Sequence, residues 1–239
     1  MEEEEEAGAS LMTFPSSASP SSSSSRPAGP SEVSGADLLH ERHLGAQRLE
    51  RVQCLTNIVV AGWSANVLLA AGAAPAMVDN PREAGVLGGV AGGVLVNLGT
   101  PYEETVKAMY AAARAARAGR RPWVLDPVAA GALPWRTEHA VALLDEQPTV
   151  VRGNASEVLA PGEGEGGKGV DSTDSPESVL EAAQGLAERL GCVVAVSGAV
   201  DHVTDGRRLV RVHNGHEWLT KVTGVGCSLG ALVAGYAAV

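Results

Sequence analysis

Four short apolar runs constrain this chain more than any other feature: Val94-Leu95-Val96, Trp123-Val124-Leu125, Val150-Val151 and Val193-Val194-Ala195-Val196. Each ends on a polar residue, in turn Asn97, Asp126, Arg152 and Ser197. Runs this short and this continuous suit strands buried on both faces rather than strands with one wet side. The segments between them carry helical periodicity. Val106, Met109, Tyr110 and Ala113 share one face, and Val179, Leu180, Ala183, Leu186, Ala187 and Leu190 share another. Strands alternating with helices predict a mostly parallel sheet covered on both sides, an α/β layered fold. Aromatic residues make up only 3% of the chain and glycine occurs 29 times. The core is therefore expected to be built from Ala, Val and Leu, with helices lying close to the sheet.

The other segments fit this alternation. Residues 1–36 are acidic and then rich in Ser, Pro and Ala, a composition that cannot offset its ordering entropy, so a disordered tail is expected ahead of a single domain over 37–239. The spacing of Leu38, Leu39, Leu44, Leu49 and Val52 suggests an amphipathic helix over 35–52. A strand is expected within 53–60, a helix over 64–71 that stops at Gly72, and a short apolar run at Pro75-Ala76-Met77-Val78. Pro101 and the acids Glu103 and Glu104 open a helix that a basic turn and Gly119 should end. Further helices are expected over 137–144, 155–159 and 176–190. A glycine-rich loop is expected over 161–169, and a strand over 209–213.

The formal net charge of −10 argues against a nucleic-acid surface. Three cysteines give neither a disulfide framework nor zinc spacing, which fits a reducing intracellular compartment. No apolar run is long enough to span a membrane. The expected location is the cytoplasm, or a plastid if the Ser-rich leader is a transit peptide; its five consecutive glutamates speak against the latter.

In open α/β sheets ligands bind just beyond the carboxyl ends of the strands. That rim holds two acids, Asp126 and Glu157, and one arginine, Arg152. The stretch Lys221-Val222-Thr223-Gly224-Val225-Gly226-Cys227-Ser228-Leu229-Gly230 should join them, since it leads into an apolar helix. Glycines at a loop-to-helix junction let the backbone approach a ligand. The free N–H groups and dipole of the first turn hold anions and stabilise a thiolate at Cys227. The plainer reading is a tight turn carrying a small buried cysteine. Carboxylates with waters suit Mg²⁺, and an arginine with a helix N-terminus suits phosphate. These parts describe phosphoryl transfer. Neither a P-loop nor a protein-kinase catalytic loop is present.

Several motifs then resemble one family. Arg152-Gly153-Asn154-Ala155-Ser156-Glu157 resembles the magnesium-associated Asn-x-x-Glu motif of the ribokinase-like superfamily. Thr223-Gly224-Val225-Gly226-Cys227 resembles its anion hole, with Cys where most members carry a catalytic Asp. That Cys, together with Cys54-Leu55-Thr56-Asn57, Pro75-Ala76-Met77, Leu125-Asp126-Pro127-Val128, Gly169-Val170-Asp171-Ser172 and Asn214-Gly215-His216, is similar to the hydroxyethylthiazole kinases from about residue 50 onward. The resemblance implies a ribokinase-like fold and ATP-dependent phosphorylation of 4-methyl-5-(2-hydroxyethyl)thiazole in thiamine salvage. It implies Cys227 at the catalytic position, acting as a modest base or by positioning the hydroxyl. It places Gly224 and Met77 against substrate, Arg152 and Ser197 on ATP, and Asp126 and Glu157 with Mg²⁺. It also implies a homotrimer with sites at subunit interfaces, so that Met77 serves a neighbour's site. Family members continue with further helices past the point corresponding to Val239, so a truncated C-terminus is expected. The alternatives are a hydroxymethylpyrimidine-type kinase, or a non-catalytic homologue that binds nucleotide or thiazole.

Overall fold

The four apolar runs are adjacent strands of one sheet. In the computed structural model the described residues are 50–162 and 176–239, all within the unit Glu32–Val239. The expected tail, most of the expected 35–52 helix, the 163–169 part of the glycine-rich loop and the Gly169–Ser172 motif lie outside them.

The strands are β1 (Arg51–Leu55), β2 (Ala74–Ala76), β3 (Gly93–Asn97), β4 (Trp123–Asp126), β5 (Val150–Asn154), β6 (Val193–Ser197), β7 (Asp201–Thr204) and β8 (Leu209–Val212). Their order is β2-β1-β3-β4-β5-β6-β7-β8. The pairings from β2 to β6 are parallel, and β7 and β8 add antiparallel at the end. The helices are α1 (Ala61–Ala70), α2 (Ala84–Gly88), α3 (Glu103–Ala118), α4 (Pro134–Leu144), α5 (Ala155–Leu159), α6 (Pro176–Leu190) and α7 (Val225–Tyr236).

Period-2 alternation sends neighbouring strand residues to opposite layers. Leu55, Val94, Val96, Leu125, Val151 and Val194 pack with α3, α4 and α6 on one face. Val52, Cys54, Leu95, Val124 and Val150 pack with Leu68 of α1 and with Ala231 and Ala234 of α7 on the other. β3 is buried at every position. Its neighbour α7 presents small residues, so helix and sheet approach closely. A methyl group built at Gly93 would overlap the Ala234 carbonyl.

Three differences from the sequence reading have local causes. Arg51 and Val52 are strand, not the end of a helix: β1 lies between β2 and β3, and pairing on both sides outweighs the helical spacing. β7 was not expected, because Asp-His-Val-Thr has no apolar run; it is held by pairing to β6 and β8. The short α2 was also missed. At the end of α3, Gly119 stays right-handed (φ −79°), and the following Arg120 takes the left-handed turn at φ 53°.

Among the described residues no helix is long and apolar enough to cross a membrane.

The α7–β3 contact gives the first prediction. Gly93→Ala should lower stability by about 2–3 kcal/mol through overpacking against backbone that cannot rotate away. Chemical denaturation would show it as a lower midpoint at unchanged slope.

Candidate active site

The chain leaves β1, pairs β2 on one side, and then returns to pair β3 on the other. This reversal is a topological switch point, where neighbouring connections leave opposite faces and a crevice opens at the strands' carboxyl ends. Asn57 follows β1 and Asn97 ends β3 at this crevice. Asp126 ends β4, Asn154 ends β5 and Ser197 ends β6 along the same rim.

Helix α7 starts at the rim. Its N-cap is Gly224, at φ 83° and ψ 1°. A side chain there would be strained, and its Cβ would lie 2.5 Å from Val60 Cγ1. Ser228 N and Ser228 Oγ both donate to the Gly224 carbonyl, at 2.9 and 2.8 Å. The N–H groups of Val225, Gly226 and Cys227 occupy the open first turn, the arrangement that receives an anion.

Arg152 is buried and joins three elements. Its Nη1 donates to the Gly226 carbonyl at 2.8 Å and to Asp126 Oδ2 at 3.4 Å, and its Nη2 donates to Ser197 Oγ at 2.8 Å. Asp126 is 1% exposed. Its Oδ2 also accepts from Asn97 Nδ2 at 2.7 Å, whereas Oδ1 is buried with no hydrogen-bond partner. Burial pushes the Asp126 carboxyl up to about 6, against the opposing pull of Arg152 and Asn97. Desolvation therefore outweighs the ion pair here, as is common for buried charges.

Glu157 sits in the first turn of α5. Its Oε2 accepts from Asn154 N at 3.1 Å while Asn154 Oδ1 accepts from Glu157 N at 2.9 Å, a reciprocal capping box. Its Oε1 accepts from Ala129 N at 3.0 Å. Ala129 is left-handed, at φ 62°, in the loop after Asp126-Pro127. Glu157 thus clamps a strained loop beside Asp126 as well as contributing charge.

Cys227 is half-buried. Asn57 Nδ2 donates to its Sγ at 3.3 Å and to Asn97 Oδ1 at 3.0 Å. The expectation of a thiolate stabilised by the helix N-terminus is reversed: burial, with Asp126 second, raises the thiol above its ordinary range, and the hydrogen bonds from Asn97 and Asn57 and the charge of Arg152 only partly offset this.

Cys227, Gly224, Arg152, Ser197, Asp126 and Glu157 thus share one rim. Met77 stands apart, just past edge strand β2, half-buried against the α1–α7 side of the core. Sequence reasoning placed Asn97 at a strand end and Asn57 within a family motif but gave neither a role in the site. The signal was present: a polar side chain ends or closely follows an otherwise apolar strand, as with Asp126. The role of Ala129 had no such signal.

Among the described residues no group of three or more His, Cys, Asp or Glu could hold a metal ion. The donor set nevertheless fits Mg²⁺, which accepts one or two carboxylates with waters and phosphate oxygens completing its shell. The partnerless Oδ1 of Asp126 is the oxygen available for that purpose.

The sequence pattern of the hydroxyethylthiazole kinase family matches residues 46–239. The chain is 59% identical to a hydroxyethylthiazole kinase of Clavibacter sepedonicus over 84% of its own length and 73% of that protein's. It superposes on the structure of a hydroxyethylthiazole kinase protein from Pyrococcus horikoshii OT3 with a TM-score of 0.74 and 36% identity, covering 85% of this chain and 74% of the other. It also shares a fold with a pyridoxal kinase from Staphylococcus aureus, at a TM-score of 0.57 and 18% identity over 80% of this chain and 81% of that one. The mostly parallel sheet with a helix N-terminus at its rim is the ribokinase-like fold. Motif order, architecture and sequence identity agree, and the chain belongs to the hydroxyethylthiazole kinase family, a family of kinases.

Proposed function

We propose that the chain transfers the γ-phosphoryl group of ATP to the hydroxyethyl oxygen of 4-methyl-5-(2-hydroxyethyl)thiazole, a step of thiamine salvage. The observation that carries this reading is the open first turn of α7, with Arg152 bound to its Gly226 carbonyl and Cys227 in the same turn. The relatives' names supply the acceptor alcohol, and nothing favours the hydroxymethylpyrimidine alternative.

The alcohol oxygen forms a bond to the γ-phosphorus as the bond to the β–γ bridging oxygen breaks, giving a phosphate monoester and ADP. The alcohol's proton passes to a phosphate oxygen or to solvent. Such transfers pass through a loose transition state and need positioning and charge neutralisation more than a strong base. The residues suit that demand. The N–H groups of Val225, Gly226 and Cys227 face the phosphoryl oxygens, and Gly224 leaves room for substrate. Arg152 and Ser197 border the nucleotide. Cys227, whose thiol is held neutral at physiological pH, places the attacking hydroxyl rather than ionising it. Asp126, with Glu157 beside it, would hold Mg²⁺, which supplies charge neutralisation on the phosphates when bound.

The assembly we propose is a homotrimer with Met77 contributing to a neighbouring subunit's thiazole pocket. Ile58, Val59, Trp63 and Leu69 support it: they are 71, 64, 51 and 59% exposed and cluster in and before α1, which connects β1 to β2, beside which Met77 lies. Apolar side chains concentrated in this way mark interfaces. The free state of Cys54, Cys192 and Cys227 supports a cytoplasmic location.

Three predictions test this reading. Purified protein with ATP, Mg²⁺ and the thiazole alcohol should yield the phosphate ester. Cys227→Ala should lower kcat by about 10–100-fold with the ATP KM unchanged, as for loss of a positioning group; undiminished turnover would refute the assignment. Asp126→Asn should abolish Mg²⁺-dependent turnover and should also remove one pH dependence from the stability of the metal-free protein. The Asp126 carboxyl is raised to about 6 from its ordinary 3.8, so the native state binds the extra proton between these values. Its contribution to stability is present below pH 4 and is lost as pH rises through 6. In the variant this loss of stability between about pH 4 and 6 should be absent, as read by denaturation with chelator present.

A further inference from the structure

Asn57 and Asn97 are uncharged and lie outside the set of charged groups and helix N–H donors invoked for phosphoryl transfer. Both are nevertheless buried at the switch-point crevice, at 5 and 0% exposure. Their hydrogen bonds form a chain with a fixed direction. The Asp126 carboxylate can only accept, so Asn97 turns its Nδ2 toward it, at 2.7 Å. Asn97 Oδ1 is then the acceptor end, taking hydrogen bonds from Gly99 N and from Asn57 Nδ2, each at 3.0 Å. Asn57 is forced to present its NH₂ group, and the second hydrogen of that group reaches Cys227 Sγ at 3.3 Å. The amide orientation at Cys227 is thus dictated from Asp126 through two side chains.

The neighbouring backbone is shaped for this contact. A Cβ at Gly99 would fall 2.5 Å from Asn57 Nδ2 and 2.7 Å from both its Cβ and Cγ. Any residue but glycine at 99 therefore displaces the Asn57 amide.

We propose that Asn57 is a positioning residue for the phosphoryl acceptor: its amide, oriented by the Asp126–Asn97 pair, holds the Cys227 sulfur in the place from which it aligns the substrate hydroxyl. With one sulfur lone pair occupied by the Asn57 N–H, the S–H bond and the remaining lone pair are directed into the crevice. Asn57 acts through Cys227 and not on the nucleotide. The inference rests on the reading of Cys227 as the group at the acceptor alcohol, and the test separates the two.

Asn57→Asp keeps the shape of the side chain and removes the donor. Alkylation of Cys227 by iodoacetamide at pH 8, followed by peptide mass spectrometry with buried Cys54 and Cys192 as internal references, reads the contact without any kinase assay. Alkylation at Cys227 should slow at least fivefold in the variant, because a donor is replaced by an anion beside the sulfur. In turnover, kcat should fall about tenfold with the ATP KM within twofold of wild type. Introduced into Cys227→Ala, the same change should cost less than twofold, because the two residues act as a unit. Gly99→Ala, which displaces Asn57 without altering it, should repeat the pattern and serves if Asn57→Asp fails to fold. Equal kcat losses with and without Cys227, or an unchanged alkylation rate in a folded variant, would overturn the proposal. Wild-type protein that makes no phosphate ester but shows the alkylation difference would instead overturn the kinase reading and leave the contact standing.

Discussion

The rim of this enzyme depends on a carboxylate that has been taken out of water. Asp126 ends β4 at 1% exposure, and its Oδ2 is met by Asn97 from β3 and Arg152 from β5. Arg152 continues to the Gly226 carbonyl of α7 and to Ser197 of β6. One buried charge thereby ties three central strands to the open first turn of α7. The cost appears in the raised carboxyl of Asp126. Well-packed apolar residues in place of the whole Asp126–Arg152 pair would be the more stable choice. On the proposed kinase reading the arrangement is preorganisation, with stability given up so that the charged groups need not rearrange when phosphate arrives.

Much of this was readable from the sequence, and the reason is the parallel sheet. A strand buried on both faces is a continuous apolar run, so its end is marked by the first polar residue. In a parallel sheet all such ends share one rim. Asp126, Arg152 and Ser197 were legible as rim residues for that reason. At Gly224 and Cys227 the glycine-rich junction left an anion site and a plain tight turn equally open, and only the family resemblance favoured the first. The placement of Glu157 in a first helical turn followed from the spacing Asn154-x-x-Glu157, which the capping box bears out.

What the sequence hid falls under two causes. Some elements are made by partners rather than by their own residues. β7 is strand because β6 and β8 flank it, and Arg51–Val52 are strand because β1 is paired on both sides. The other cause is balance between opposing terms. The charge state of Cys227 depends on burial and the charge of Asp126 against two amides and a nearby arginine. Motif spacing places the residue but cannot weigh those contributions. The dual duty of Glu157, clamping left-handed Ala129 as well as standing beside Asp126, was likewise invisible, since nothing in Asp-Pro-Val-Ala announces a positive φ.

The small residues on the inner face of α7 have a mechanical consequence. With Gly230, Ala231 and Ala234 against the sheet, the helix is a nearly smooth rod, and apolar packing alone would fix its azimuth weakly. A phase error of a single residue would swing Cys227 around the axis by about 100°. Two contacts act as dowels against that rotation. At one end Arg152 grips the Gly226 carbonyl, and at the other the Ala234 carbonyl is seated against the bare backbone of Gly93. The orientation of Cys227 is therefore set partly from near the helix's far end, at Ala234, about two helical turns away.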